Sequence, residues 1–147
     1  MMDGTAFLFR SFYASGNMQS ASGHPTGAIY ILGRLLLKIL KTEQPAYFAF
    51  VLDGKGPHFR HDIYKEYKAQ RSATPEDLIA QIDPVKDLVA SMGLHLVVSE
   101  NCEADDCIAS LAKRFQNRHP VVIIGSDKDL KQMPGPKCCA LGSGFKR

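Results

Sequence analysis

The sequence predicts an α/β protein built around a mostly parallel sheet. Two observations carry that prediction. Short β-branched and aromatic runs alternate with stretches of helical periodicity along the 147 residues, and the clearest of those runs, AYFAFVL, lacks the polar alternation of a half-solvated strand. Strand-helix alternation of this kind requires crossover connections, which are right-handed in a parallel sheet.

The elements follow in order. After MMDG comes TAFLFRSFYAS, apolar and aromatic, with Asp3 at the start of the first βα turn and only Met1 and Met2 before it, too few for a full first strand. GNMQSASGHPTG, rich in Gly and Ser, reads as a loop. From Thr26 to Lys41 the chain is apolar over most of a helical circumference, a largely buried helix whose Arg34, Lys38 and Lys41 form one solvated basic stripe. Pro45 ends the pattern, and AYFAFVL is a strand covered on both faces that stops at Asp53. Residues 75–92 carry Leu78, Ile82, Val85, Val89 and Met92 on one face; Asp83-Pro84 can restart a helix as N-cap and N1, so two pieces or one kinked helix both fit. LHLVV at 94–98 is a second buried strand, EADDCIASLAKRF a helix with Ala104, Ile108, Leu111 and Phe115 inward, and PVVIIG a third strand. SDKDLKQ begins another helical turn in which Ser126 is a turn residue, residues 1–133 form the domain, and 134–147 read as an irregular tail.

Composition narrows the function classes. The 18 Lys and Arg against 15 Asp and Glu leave a formal charge of +3, too small to indicate nucleic acid by itself. The four cysteines, Cys102, Cys107, Cys138 and Cys139, lack CxxC spacing and a nearby His, which disfavours zinc and favours reduced thiols. No apolar run approaches the ~18 residues of a membrane span and the N-terminus lacks a signal-peptide layout, so the expectation is a soluble cytoplasmic protein away from membranes.

The acidic residues carry the chemistry. Asp3 lies at the first βα turn, Asp53 follows AYFAFVL, Glu103, Asp105 and Asp106 follow LHLVV, and Asp127 and Asp129 follow PVVIIG. In a parallel sheet the strand C-termini share one edge, so acids far apart in sequence converge there. Such a cluster repels itself unless cations compensate, and an oxygen-only donor set suits Mg²⁺ or Mn²⁺, with two ions ~4 Å apart the known clamp for phosphodiester hydrolysis. Helix first turns favour Asp and Glu anyway, which would explain Glu103, Asp105 and Asp106 alone. Four clusters at four strand ends outweigh that simpler account.

Beside them in sequence, KGPHFRHDIYKEYKAQR holds five Lys or Arg and two His against Asp62 and Glu66. If Phe59 to Arg71 is helical, Arg60, Tyr64, Tyr67, Lys68 and Arg71 form one stripe on which cations meet phosphates and tyrosine rings stack on bases. A basic stripe alone is usually a solvated face, but next to a carboxylate crevice these cations draw in a polyanion, DNA or RNA, that the acids would repel.

DG near the start, LDGKGPHFRHDIYKEYKAQR, CEADDCIASLA and GSDKDLKQ, in that order and spacing, resemble the 5′-3′ exonuclease domain of bacterial DNA polymerase I and related flap endonucleases, from Asp3 to about Gln132. The resemblance implies a three-layer PIN-like fold with a helical arch. It implies cutting of DNA at 5′ flaps, nicks and 5′ ends, with two divalent ions held by Asp3, Asp53, Glu103, Asp105, Asp106, Asp127 and Asp129 directly or through water. It further implies that Tyr67, Lys68 and Arg71 grip or polarise the scissile phosphate, that Arg60 and Arg10 assist there, and that Phe12 packs near the 5′ end. For Phe12 a core role and for Arg10 a surface role are equally open. A monomer is expected, with a DNA polymerase as a partner.

The family continues beyond GDKDL into more sheet and a helix-hairpin-helix region, so a truncated copy or a fragment of a longer exonuclease is expected. Water activated at the metals would attack in line, with Lys68 and Arg71 as preorganised cations and no protein nucleophile. Two rivals stand beside this: a remnant that binds nucleic acid without cutting, and a PIN-like ribonuclease, against which the DNA-enzyme likeness of YKAQR argues.

Overall fold

The structure is a computed structural model; it describes residues 1–125 except Lys55, Pro57, His58, Ala69 and Arg71, together with 138–141, giving backbone alone for His61 and 138–141. The elements run β1 (Met2–Asp3), α1 (Gly4–Ser15), α2 (Gly27–Glu43), β2 (Ala49–Leu52), α3 (Phe59–Ile63), α4 (Glu76–Ser91), β3 (His95–Val98), α5 (Ala104–Phe115), β4 (Val121–Ile124) and β5 (Cys138–Leu141). The strands form one sheet in the order β3-β2-β1-β4-β5. β1 pairs in parallel with β2 through Met2↔Phe50 and Asp3↔Val51 and with β4 through Met2↔Ile124, and β4 pairs in parallel with β5. The expected α/β chain with a mostly parallel sheet is what the coordinates show. Among the described residues no helix is long and apolar enough to cross a membrane.

Contacts divide the chain into two compact units. The first, Met1–Ala6, Ala49–Gln70 and Val97–Arg147, holds the sheet centre and α5. Its core joins Val51, Ala104, Ile108, Ala112, Val121 and Ile123, with Cys107 packed against it. Each large aliphatic side chain so buried contributes about 1.5–3 kcal/mol. The buried stripe of α5 is Ala104, Ile108 and Ala112; Phe115 is exposed, so the inward face is rotated from the expected Leu111 and Phe115 edge. β1 has only two residues, yet it occupies the sheet centre. Gly4 follows it because a Cβ there would stand 2.7 Å from the Val51 carbonyl oxygen and overlap the Phe50 ring.

The second unit, Phe7–Phe48 and Arg71–Leu96, is helical. Leu32, Leu36 and Ile39 of α2 and Leu78, Val85 and Val89 of α4 are buried. Arg34, Lys38 and Lys41 are solvated as expected, but α2 also exposes Tyr30 and Leu37, so only one stripe is covered rather than most of the circumference. Gln81 is polar yet buried, and both ends of its amide are satisfied. Its Oε1 accepts the Ala28 N–H at 2.9 Å at the start of α2, and its Nε2 donates to the Asp77 carbonyl at 2.9 Å. α4 is one continuous helix with Pro84 inside it, which decides between the two alternatives.

Three expectations need correction. LHLVV is an edge strand with His95 and Val98 exposed rather than a buried one, because β3 ends the sheet. The tail is not wholly irregular: β5 extends the sheet beyond residue 133 by pairing Val121↔Cys138 through Ile124↔Leu141. Phe59 to Arg71 is not one helix. α3 ends at Ile63, turns follow, and Lys68 has φ +58, a left-handed conformation that no helix continues through.

Candidate metal and phosphate site

Asp3 and Asp53 stand where two parallel strands end. Asp3 closes β1 and caps α1, its Oδ1 accepting the Ala6 N–H at 2.9 Å; it is 5% exposed, so this bond offsets the cost of burying the carboxylate. Asp53 follows β2, and its Oδ1 accepts the Ala104 N–H at 2.6 Å, a charge-assisted bond to the N-terminus of α5. Glu103, Asp105 and Asp106 are half-buried in that same first turn. The Asp106 carboxylate accepts the Glu103 N–H at 3.1 Å within a capping box. Strand register and the Asp53 bond thus bring Asp3, Asp53 and the Glu103 turn to one edge of the sheet.

Cations come to that edge from the segment after β2. Arg60 donates both Nη atoms to Asp106, at 2.5 Å to Oδ2 and 2.6 Å to Oδ1, and its Nη1 lies 3.7 Å from Glu103 Oε2. Hydrogen bonding to Asp106 raises the Arg60 guanidinium above its already high range, with desolvation opposing and the charges of Asp106 and Glu103 adding. Lys68 Nζ pairs with Glu103 Oε1, and the Tyr67 hydroxyl donates to Glu103 Oε2 at 3.4 Å. The Arg60 guanidinium lies 4.8 Å from the Phe59 ring centroid and the Lys68 ammonium 5.1 Å from that of Tyr67, within cation–π range. Tyr64 is not part of this group: it is exposed and its hydroxyl donates to Glu66 at 2.9 Å. The expected stripe is therefore replaced by a folded-back turn that delivers Arg60, Tyr67 and Lys68 to the acids.

Sequence reasoning missed the residues that hold the acid-bearing loops. Thr5 Oγ1 accepts the Asp53 N–H at 2.8 Å. The Ser99 hydroxyl accepts the Gly54 N–H at 3.2 Å and donates to the Cys102 carbonyl at 2.9 Å and the Leu52 carbonyl at 3.2 Å, joining the end of β2 to the start of α5. A Cβ on Gly54 would collide with the Ser99 carbonyl oxygen, so only glycine permits that approach. Asn101, at φ +57, turns the loop and accepts the Phe59 N–H at 3.0 Å. The signal available was the second DG pair and an Asn in a loop, both standard turn residues. Cys102 and Cys107 flank the acids as free thiols. Burial raises both, helped by the Asp106 charge at Cys102 and by Cys102 at Cys107.

Other expected residues lie elsewhere. Arg10 is exposed, with its guanidinium 5.5 Å from the Phe7 ring, and Phe12 is half-buried; both belong to the helical unit. Asp127, Asp129, Arg71 and Ser126 lie outside the described residues. In kind, the described donors fit a hard divalent cation, being carboxylate oxygens at one sheet edge. In arrangement, among the described residues no group of three or more His, Cys, Asp or Glu is gathered to hold one. The reason is visible: Glu103 and Asp106 are turned onto Arg60 and Lys68, and Asp3 and Asp53 onto helix N–H groups.

Known proteins share this arrangement of strands and helices. The family model described as "5′-3′ exonuclease, N-terminal resolvase-like domain" matches residues 1–143. DNA polymerase I of Pseudomonas aeruginosa is 40% identical over 134 residues, covering 90% of this chain and 15% of the polymerase. The 5′-3′ exonuclease of Aquifex aeolicus is 39% identical over 134 residues, covering 90% of this chain and 46% of that enzyme. The chain thus spans less than half the length of either relative. Bacteriophage T5 5′-exonuclease with divalent zinc ions bound superposes with a TM-score of 0.70 at 19% identity over 99% of this chain and 55% of that one. The catalytic core of Rad2 in complex with DNA substrate does so at 0.59 and 18% identity, over 99% and 43%. These two likenesses show the α/β PIN-like fold.

Proposed function

The chain belongs to the family of 5′-3′ exonuclease N-terminal, resolvase-like domains, and from that premise we propose that it hydrolyses phosphodiester bonds of DNA with a divalent metal, as a 5′-3′ exonuclease and 5′-flap endonuclease. The observation that carries this is the meeting of Glu103 and Asp106 with Arg60, Tyr67 and Lys68 at one sheet edge: hard oxygen donors beside cations that suit a phosphate. Zinc bound to the T5 5′-exonuclease and DNA bound to the Rad2 core, two proteins of the same fold, support this reading.

Asp3, Asp53, Glu103, Asp105 and Asp106 are the proposed ligands among the described residues, with Asp127 and Asp129 added from the sequence motif. Two Mg²⁺ or Mn²⁺ ions are proposed. Ions held there supply charge neutralisation at phosphoryl oxygens and a lowered pKa for water. The chain's own share is positional. Thr5 and Ser99 fix the loops that carry Asp53 and Glu103, while Lys68 and Arg60, with Arg71 from the motif, bind and orient the phosphate. Substrates are 5′ flaps, nicks and 5′ ends, the protein acts as a monomer in the cytoplasm, and a DNA polymerase is the proposed partner, as the Pseudomonas relative's name suggests.

The ion pairs on Glu103 and Asp106 also favour one second reading, binding without cutting. Incubating a 5′-flap DNA with Mg²⁺ and the parent, Asp105→Ala or Lys68→Ala protein decides. The expected outcome is cutting by the parent alone, with rates down at least about 100-fold in either variant. Binding by the parent without cutting would overturn the enzyme reading, and preference for single-stranded RNA would move the substrate assignment.

A further inference from the structure

Arg60 and Lys68 stand in an unexpected place for residues that must hold a phosphate: each is already satisfied by a carboxylate. Arg60 grips Asp106 with both Nη atoms and lies 3.7 Å from Glu103, and Lys68 pairs with Glu103. Tyr67 adds a hydroxyl bond to Glu103 and its ring lies 6.0 Å from the Arg60 guanidinium and 5.1 Å from the Lys68 ammonium. The Phe59 N–H bond to Asn101 ties the start of the segment to the loop before α5. Phe59, Arg60, Tyr67 and Lys68 thus tie this segment to the first turn of α5 and the loop before it.

Those carboxylate oxygens have two claimants. A guanidinium or ammonium at hydrogen-bond distance takes up lone-pair sites of a carboxylate and competes there with a divalent cation, which requires its own close contact. Both pairs are also reversible by construction. The Arg60 and Lys68 side chains are 30% and 28% exposed, so water can replace either partner. Lys68 sits at φ +58, a conformation that costs a non-glycine residue about 1 kcal/mol or more and that the contact with Glu103 maintains.

We propose that this contact is an autoinhibitory latch, in which Arg60 and Lys68 serve as counter-ions of Glu103 and Asp106 in the metal-free protein and are released to the substrate phosphate when a divalent cation takes those oxygens. The inference rests on the metal-dependent nuclease reading and deepens it. Its consequence is an order of events: the segment grips DNA more strongly once the acids have exchanged their internal cations for metal. By linkage, whatever weakens the latch strengthens metal binding, and metal in turn loosens the latch.

The test uses the full chain and Mn²⁺ alone, without DNA. Mn²⁺ affinity is read by titration calorimetry and electron paramagnetic resonance for the parent, Arg60→Gln, Lys68→Gln and, as a control that removes an exposed charge of the same segment, Lys65→Gln. Affinity should rise about threefold to tenfold in Arg60→Gln and Lys68→Gln, the range expected when a competing pair of modest strength is removed, and change little in Lys65→Gln. Amide hydrogen exchange of residues 59–68 in the parent should accelerate on adding Mn²⁺, a measurement that stands even if a variant fails to fold. Equal effects in all three variants would overturn the latch by reducing it to long-range charge. So would exchange of residues 59–68 that Mn²⁺ leaves unchanged or slows. If the parent itself binds no Mn²⁺, the metal reading fails and the latch with it, whereas a parent that binds Mn²⁺ with unchanged variants loses only the latch.

Discussion

Ser99 concentrates much of the site's local geometry in one hydroxyl. It is 3% exposed, accepts from Gly54 N–H and shares its proton between the Cys102 and Leu52 carbonyls, so Ser99→Ala leaves buried groups on both acid-bearing loops unsatisfied. The expected loss is about 1–3 kcal/mol by urea denaturation. Gly54→Ala should cost a similar ~1–3 kcal/mol, because its Cβ meets the Ser99 backbone oxygen, which cannot swing aside as a side chain would; unchanged stability would refute the close approach. Cys102 and Cys107 give a pH-dependent prediction. Burial raises both thiols, so iodoacetamide should alkylate them more slowly in the folded protein at pH 8 than in denaturant. The sign for stability follows: the folded state binds more protons once pH passes the unfolded thiol value of ~8.5, so stability is unaffected below that value and falls as pH rises through it toward the folded values. None of these supporting contacts is legible in sequence, since Ser99 and Thr5 are ordinary hydroxyl residues whose partners lie 45 and 48 positions away. The positions of Asp3 at the end of β1 and Asp53 after β2 are legible because strand ends are readable from apolar runs.

At the scale of elements, legibility follows the length of the periodic signal. α2, α4 and α5 carry enough turns for their buried stripes to show, and β2 and β4 are apolar runs bounded by clear breaks. The segment after β2 misleads because Arg60, Tyr64, Tyr67 and Lys68 have helical spacing, while the contacts that decide its shape reach across 35 or more residues to Glu103 and Asp106. β5 is invisible because four residues, Cys138–Leu141, between Pro- and Gly-containing stretches have no pattern of their own and gain order from pairing with β4. β3 reads as buried because an apolar strand looks the same at an edge as in the middle. Pro84 offers a test of what an element tolerates. It interrupts the α4 ladder by lacking the N–H that the Ala80 carbonyl would accept, and its exposed ring packs little. Pro84→Ala should recover up to ~3 kcal/mol of helix propensity less ~1 kcal/mol of unfolded-chain entropy, a net gain of about 1–2 kcal/mol seen as a melting point several degrees higher. A lower melting point would mean that packing of α4 against α2 requires proline at position 84.

At the scale of the whole molecule, a net charge of +3 predicts weak attraction to DNA, and the arrangement of charge matters more than its sum. Two of the cations nearest the acids are neutralised internally, by Glu103 and Asp106, so the chain offers fewer cations to a phosphate backbone than its sequence suggests. Each Lys or Arg that newly contacts a phosphate steepens the dependence of log affinity on log salt by about 0.9 on duplex DNA. If Arg60 and Lys68 pass from carboxylates to phosphates when metal binds, the slope for a hydrolysis-resistant phosphorothioate flap should steepen by about 1.8 when micromolar Mn²⁺, too dilute to compete with KCl for the DNA, is added. Lys68→Ala should remove about half of that increment, because one of the two transferable charges is then missing, and Lys65→Ala should leave the increment intact. A slope that Mn²⁺ leaves unchanged while affinity rises would show that metal recruits DNA through its own charge, and that the basic turn holds its carboxylates throughout.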